Sequence, residues 1–260
     1  MDDRQNGEPP GNRPGWPNPQ PPTAAWPPPP AQFGTPAYYG PPFLSPASGA
    51  RWAIGFLTAF GVLDIITACA ELVQVRSGSS FTEFSLDVGL ATAGLDVIQN
   101  IIAFPCAVFF LIWVYRVCSN ALALGAQEMP ISPGWAVGYY FVPILAFFRP
   151  YQAMRDVWRA SEPGLDLRGN PDSWRHARST PLIGWWWAYW LAYNLVSLVL
   201  IVLLFYPRAN NTMRQDGVPT MLDILHAGLA LVAIRLVALL TRRQDEAYRR
   251  LVTPRSEVPT

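Results

Sequence analysis

Four long apolar stretches limit what this chain can fold into. Residues 52–75 read WAIGFLTAFGVLDIITACAELVQV, 95–117 LDVIQNIIAFPCAVFFLIWVYRV, 182–206 LIGWWWAYWLAYNLVSLVLIVLLFY and 220–241 TMLDILHAGLALVAIRLVALLT. At about 1.5 Å of rise per residue, about 20 helical residues cross the ~30 Å hydrocarbon core of a bilayer, and each stretch meets that length. A soluble helix this long would carry a polar face, yet only Asn194 and Ser197 interrupt residues 182–206. Inside lipid a helix satisfies its own backbone groups. The expected fold is therefore all-α, a polytopic helical membrane bundle with spans at about 52–75, 95–117, 182–206 and 220–241. Only 14% of the residues are charged, about half the share usual in soluble domains. A net charge of +1 gives no basic field of the kind that draws nucleic acid.

Residues 1–50 differ in kind from the rest of the chain. They hold 15 of the 27 prolines, including Pro27 to Pro30. Proline removes the amide donor and fixes φ, and the apolar content is too thin to offset ordering entropy. This segment is expected to be a disordered tail of polyproline-II and coil, with Trp16, Trp26, Phe33, Tyr38, Tyr39 and Phe43 spaced along it. It is either a passive tether or a docking segment for a protein partner with a groove. The polar opening MDDRQNGEPP lacks the basic start and apolar run of a secretory signal. The membrane domain is expected over residues 51–245, with a short C-terminal tail at 246–260.

A fifth apolar segment, Pro133 to Phe148, is short for a span and contains Gly134, Gly138 and Pro143. It reads as a re-entrant element or a short, tilted fifth span. The positive-inside rule separates the two. Four spans with both termini inside place 15 arginines inside and 3 outside, whereas five spans give 12 and 6. Trp52, Trp113, Trp135 and the cluster Trp185, Trp186, Trp187 and Trp190 sit near the same proposed inner interface, where amphipathic rings anchor. The expectation is a multi-pass cell-membrane protein with both termini cytoplasmic.

Residues 149–161, RPYQAMRDVWRAS, pattern as a helix lying on the inner surface. Tyr151, Met154, Val157 and Trp158 share one face, and Arg155 and Arg159 the other. With Arg149, these arginines are expected to meet anionic lipid headgroups.

Two neighbouring stretches, FLIWVYRVCSNALALGA at 110–126 and SPGWAVGYYFVPILAFFRPYQAMRDVWRAS at 132–161, resemble the bacterial membrane-protein family catalogued as domain of unknown function 4328. Trp113 to Arg116, Asn120 to Ala126, Ser132-Pro133-Gly134-Trp135, Pro143, Arg149-Pro150-Tyr151 and Trp158-Arg159 carry the likeness, over residues 50 to about 250. Relatives carry more basic residues where this chain has Val117, Cys118 and Ser119, and often a polar residue after the Val-Pro step, where Ile144 to Phe148 is apolar. The resemblance implies a membrane protein and no established activity.

Polar residues inside the spans are the sharpest functional hint, because ionisable groups in hydrocarbon are costly and face the bundle interior or water. Asp64, Thr67, Glu71 and Gln74 form one stripe on the first span. Asp96, Gln99 and Asn100 share a face on the second, and Asp223 and His226 lie one turn apart on the fourth. Counting rise from the inner ends puts Asp64 near the middle and Glu71, Asp96, Asn100, Asp223 and His226 further out. Arg235 lies lower, where it snorkels or reaches toward Asp64. The candidate cluster is Asp64, Glu71, Asp96, Asn100, Asp223, His226 and Arg235. Three readings compete: interhelical hydrogen bonds, a proton or cation path, and a metal-dependent enzyme. One histidine in the cluster and no ligand spacing argue against the last.

No phosphate-binding glycine loop, GxSxG or HExxH occurs, so no catalytic residue, metal or cofactor is expected. Cys69, Cys106 and Cys118 lie in apolar stretches and read as inert thiols. The leading expectation is a non-enzymatic interaction or scaffold protein. The alternative is a small transporter or channel built on the acidic and histidine cluster. Four short spans make a thin bundle, so a homo-oligomer is also expected.

Overall fold

A recurring local signal starts the helices. In the computed structural model, which describes residues 41–76, 83–203 and 218–253, three helices begin at a Ser-Pro or Thr-Pro step. Ser45 Oγ accepts the Ala47 N–H at 3.3 Å, Ser132 Oγ the Trp135 N–H at 3.4 Å, and Thr180 Oγ1 the Leu182 N–H at 3.3 Å. The hydroxyl satisfies an amide with no intrahelical partner, and the proline supplies a φ already suited to the first turn. These steps open α1 (Ala47–Arg76), α3 (Pro133–Gly138) and α5 (Pro181–Leu203). The remaining helices are α2 (Glu83–Ala123), α4 (Arg149–Ala160) and α6 (Val218–Val252). Short 3₁₀ turns occupy Tyr139–Phe141, Leu145–Phe147 and Ser173–His176, and no strand occurs among the described residues. The tail through residue 40, residues 204–206 of the third stretch, residues 254–260 and the Gln74 side chain lie outside the described structure.

Four helices are long and apolar enough to cross a membrane, over Ala47–Val73, Gly89–Ala123, Pro181–Val202 and Val218–Val252. They coincide with the four apolar stretches. Residues 133–148 form the six-residue α3 followed by two 3₁₀ turns. A six-residue helix reaches only about 9 Å, so this segment supplies no fifth crossing helix. Phe141 and Ile144 stand 71% and 75% exposed on it, a surface that suits lipid better than water.

α1 lies between α2 and α6, and α5 packs on α6. The core concentrates at one end of this row, the α4 end. There α3 and α4 pack against α2, and Trp113, Val117, Met154, Val157, Trp186, Leu236 and Leu240 share one apolar cluster. Met154 and Val157 are buried against protein. The apolar stripe of α4 therefore faces the bundle, with Tyr151 and Trp158 half-buried at its edges.

Two helices run beyond their apolar stretches. α2 is 41 residues long, about 60 Å. It ends where Gly125, at φ +111°, closes a two-bond cap: Gly125 N–H donates to Leu122 O at 3.0 Å and Ala126 N–H to Ala121 O at 3.2 Å. α6 continues past residue 245 to Val252, where Ala247 is buried, Glu246 pairs with Arg250, and Tyr248 stacks on Phe43 at 4.1 Å.

Candidate functional site

The polar stripe of α1 is covered by α2 and α6, the two helices packed along it. Asp64 is only 1% exposed. Its Oδ1 accepts a hydrogen bond from Gln99 Nε2 of α2 at 2.9 Å. His226 Nδ1 of α6 lies 3.3 Å from Oδ1 and 3.1 Å from Oδ2. The imidazole stacks on Tyr193 of α5 at 4.5 Å and meets the Phe60 ring edge-on at 4.6 Å. All four long helices thus contribute to one carboxylate–imidazole pair. Two aromatic faces fix the imidazole plane, and Gln99 fixes the carboxylate.

One turn further along α1, Thr67 is 1% exposed, and its hydroxyl has no hydrogen-bond partner among the described residues. Another turn on, Glu71 Oε2 accepts from Thr220 Oγ1 at 2.8 Å. Asp223 lies within electrostatic reach of Glu71, Asp64 and Asp96, and its Oδ2 is buried without a partner. The structure therefore brings together Asp64, Glu71, Asp96, Asp223 and His226 from three helices. Asp96 is the exposed member of this group.

Two candidates stand apart. Asn100 is exposed and donates to the Asp96 backbone carbonyl at 2.8 Å, so its amide serves its own helix. Arg235 is also exposed. It follows His226 by nine residues, and at about 100° per residue that turns it half a circle away. It shares the outward face of Ile224, Leu231 and Leu239 and does not reach Asp64. Of the two expectations for Arg235, the snorkelling one fits this placement. Among the described residues no three His, Cys, Asp or Glu side chains are placed to hold a metal ion.

A second polar cluster, at the α4 end, escaped sequence reasoning. Asn120, Ser161 and Gln244 are all but fully buried. Gln244 Nε2 donates to Val117 O at 2.8 Å and to Ser161 Oγ at 3.1 Å, while its Oε1 accepts from Asn120 Nδ2 at 3.2 Å. Trp113 Nε1 donates to Thr241 Oγ1 at 3.0 Å. The network ties α2, α4 and α6 together and is satisfied throughout, as a buried network must be to stabilise. One local signal could have found it. Val237, Leu240 and Gln244 lie on one side of α6, so the core face of that helix continues past the end of its apolar stretch.

The stretches that carried the family resemblance acquire physical roles here. Asn120 and Gly125 organise the end of α2, Ser132-Pro133 starts α3, and Trp158 lies under the Arg243 guanidinium at 4.6 Å. No curated protein and no solved structure matches this chain. A family model does match it, over residues 85–242, which is more than half its length, and the chain accordingly belongs to the family described as Domain of unknown function (DUF4328).

Proposed function

We propose that this membrane protein is a small proton-linked transporter, with Asp64 and His226 as the groups that take up and release the proton. The observation that carries this reading is a carboxylate 1% exposed in a membrane-crossing helix and held against an imidazole. Such a pair is costly in hydrocarbon and is a functional candidate by default, and histidine is the side chain that changes charge nearest neutrality. Helix packing alone needs one or two interhelical hydrogen bonds, not a buried carboxylate held against an imidazole with Asp223, Glu71 and Asp96 nearby. The test is proton flux in vesicles reconstituted with the full chain. Asp64→Asn, which keeps the Gln99 bond, is expected to abolish flux while thermal stability stays within a few degrees. A parallel loss of folding points instead to a structural role.

A second reading, an interaction or scaffold protein, is favoured by how the chain enters α1. Phe43 stacks on Tyr248, Ser45 Oγ donates to Asp245 Oδ1 at 3.0 Å, and Arg116 donates to Ser48 Oγ at 3.1 Å. Phe43 and Ser45 are thus held at the α4 end. The arginine distribution makes that end cytoplasmic in this reading. Arg149, Arg155 and Arg159 of α4 lie at this end, and anionic headgroups are their proposed partners. Arg155 and Arg159 lie 3.1 and 4.0 Å from Asp156, which offsets part of their charge. Deleting residues 1–40 is expected to remove a co-purifying partner if this reading holds, and to leave proton flux unchanged.

A further inference from the structure

The two ends of the bundle treat the Asp64–His226 pair differently. From Asp64 toward the end away from α4, polar groups recur at each turn of α1. Thr67 and then Glu71 continue the same stripe, at intervals of about 5–6 Å. Thr67 is buried with a hydroxyl that has no partner among the described residues. Thr220 and Asp223 of α6 face Glu71 across the helix interface, and exposed Asp96 of α2 completes the set. Of these four carboxylates Asp64 touches the imidazole, and Asp223 lies within electrostatic reach of Asp64, Glu71 and Asp96. Tyr193 is the titratable group that α5 adds, and the Arg235 guanidinium is on the opposite face.

Toward the α4 end the inward polar groups of α1, α2 and α6 thin out, while α5 packs the Tyr189 ring against Gly228. Residues 101–112 of α2 carry no polar side chain. Residues 227–240 of α6 carry only Arg235, on the outward face. On α1, Thr58 is spent on the Ile54 carbonyl at 2.7 Å and is exposed. A Cβ added at Gly61 would lie 3.2 Å from the Ala230 Cβ, so the two backbones close together one turn below Asp64. Beyond that contact Leu236, Val237, Leu240 and Trp113 are fully buried. The run from His226 to Leu240 covers about 20 Å of helix without an inward polar group.

We infer that the Asp64–His226 pair exchanges protons only with the solution at the end of the bundle away from α4, an apolar plug sealing it from the α4 end. This rests on the protonatable-site reading above and adds the side from which the site is loaded. The pair then reports the acidity of one compartment, and a transport cycle needs the plug to open in a separate step.

The experiment uses the full chain in sealed vesicles of both orientations, sorted by protease access to residues 162–180. A hydrophobic carbodiimide modifies carboxyls that are protonated within the membrane, and mass spectrometry reads the modification at Asp64. Raising the pH on the side away from α4 is expected to lower labelling, up to about tenfold per pH unit once the group titrates. Raising it on the α4 side is expected to change nothing. Labelling that follows the α4-side pH overturns one-sided access while leaving the protonatable site intact. Asp64 labelling that ignores pH on both sides removes the protonatable site, and the inference with it. Leu236→Ser, which puts a hydroxyl into the plug, is expected to make labelling sensitive to both sides. If that variant folds and remains one-sided, Leu236 is not part of the seal. If it fails to fold, the comparison between the two vesicle orientations still decides.

Discussion

Asn120 grips Leu44 with both ends of its amide: Oδ1 accepts the Leu44 N–H at 3.1 Å, and Nδ2 donates to the Leu44 carbonyl at 2.9 Å. The same Nδ2 also donates to Gln244. One side chain near the end of α2 therefore fixes the entry to α1 and a buried residue of α6. Asn120→Ala strands the Gln244 Oε1 and the Leu44 backbone groups. The buried Gln244 Oε1 left unsatisfied costs about 1–3 kcal/mol and the exposed Leu44 groups add little, so a loss of roughly 1–3 kcal/mol is expected, read as a lower unfolding midpoint in detergent. Asn120→Asp retains an acceptor for the Leu44 N–H but loses both donations, and is expected to rescue little. An unchanged midpoint for both variants refutes the clamp.

Gly125 faces two constraints at once. Its φ of +111° disfavours any residue with a Cβ, and that Cβ would lie 3.2 Å from the Leu167 carbonyl oxygen. Gly125→Ala is expected to cost about 1–3 kcal/mol, since strained backbone is of that order. Pairing it with Leu167→Ala should recover little, because the crowding atoms are the Leu167 backbone and a Cβ that alanine retains. Full recovery in the double variant would mean that the Leu167 side chain, and not the turn, sets the penalty.

Gly228 presents the opposite case. Its added Cβ would meet the Tyr189 ring at 2.9 Å, and a ring can move. Gly228→Ala is expected to destabilise the α5–α6 contact by about 1–3 kcal/mol, as overpacking does. Gly228→Ala with Tyr189→Leu is expected to recover most of the loss. A double-mutant cycle in thermal unfolding measures that coupling, and strict additivity would place the strain elsewhere.

These relationships show where sequence reading succeeds and stops. The spans were legible because lipid imposes a length and a composition that no soluble helix needs to meet. The α1 stripe of Asp64, Thr67 and Glu71 was legible because helical periodicity is local. Its partners were not, because Gln99 and His226 meet Asp64, and Tyr193 meets His226, only through the order in which α2, α1, α6 and α5 pack. The amphipathic pattern of α4 was legible, but an apolar face looks the same whether it meets lipid or protein, and Met154 and Val157 meet protein. Counting rise placed His226 farther out than Asp64, yet their side chains touch. Rise along separate helices ignores their relative tilt and the reach of the side chains.

Arg235 gives the sharpest contrast with His226. Both are basic residues of α6 inside one apolar stretch, and both belonged to the candidate cluster, with Arg235 the one expected to reach toward Asp64. Only His226 does, because nine residues of helix turn Arg235 to the exposed face. His226→Leu leaves a carboxylate that is 2% exposed at its side chain, with the Gln99 amide still donating to it. Breaking a buried pair in this way typically costs about 3–5 kcal/mol. Its unfolding midpoint is therefore expected to fall. Arg235→Leu is expected to leave both the midpoint and the carbodiimide labelling of Asp64 unchanged, since it exchanges one exposed side chain for another that suits lipid better. Should Arg235→Leu alter Asp64 labelling as strongly as His226→Leu does, Arg235 serves the site after all, and the separation by helix face is wrong.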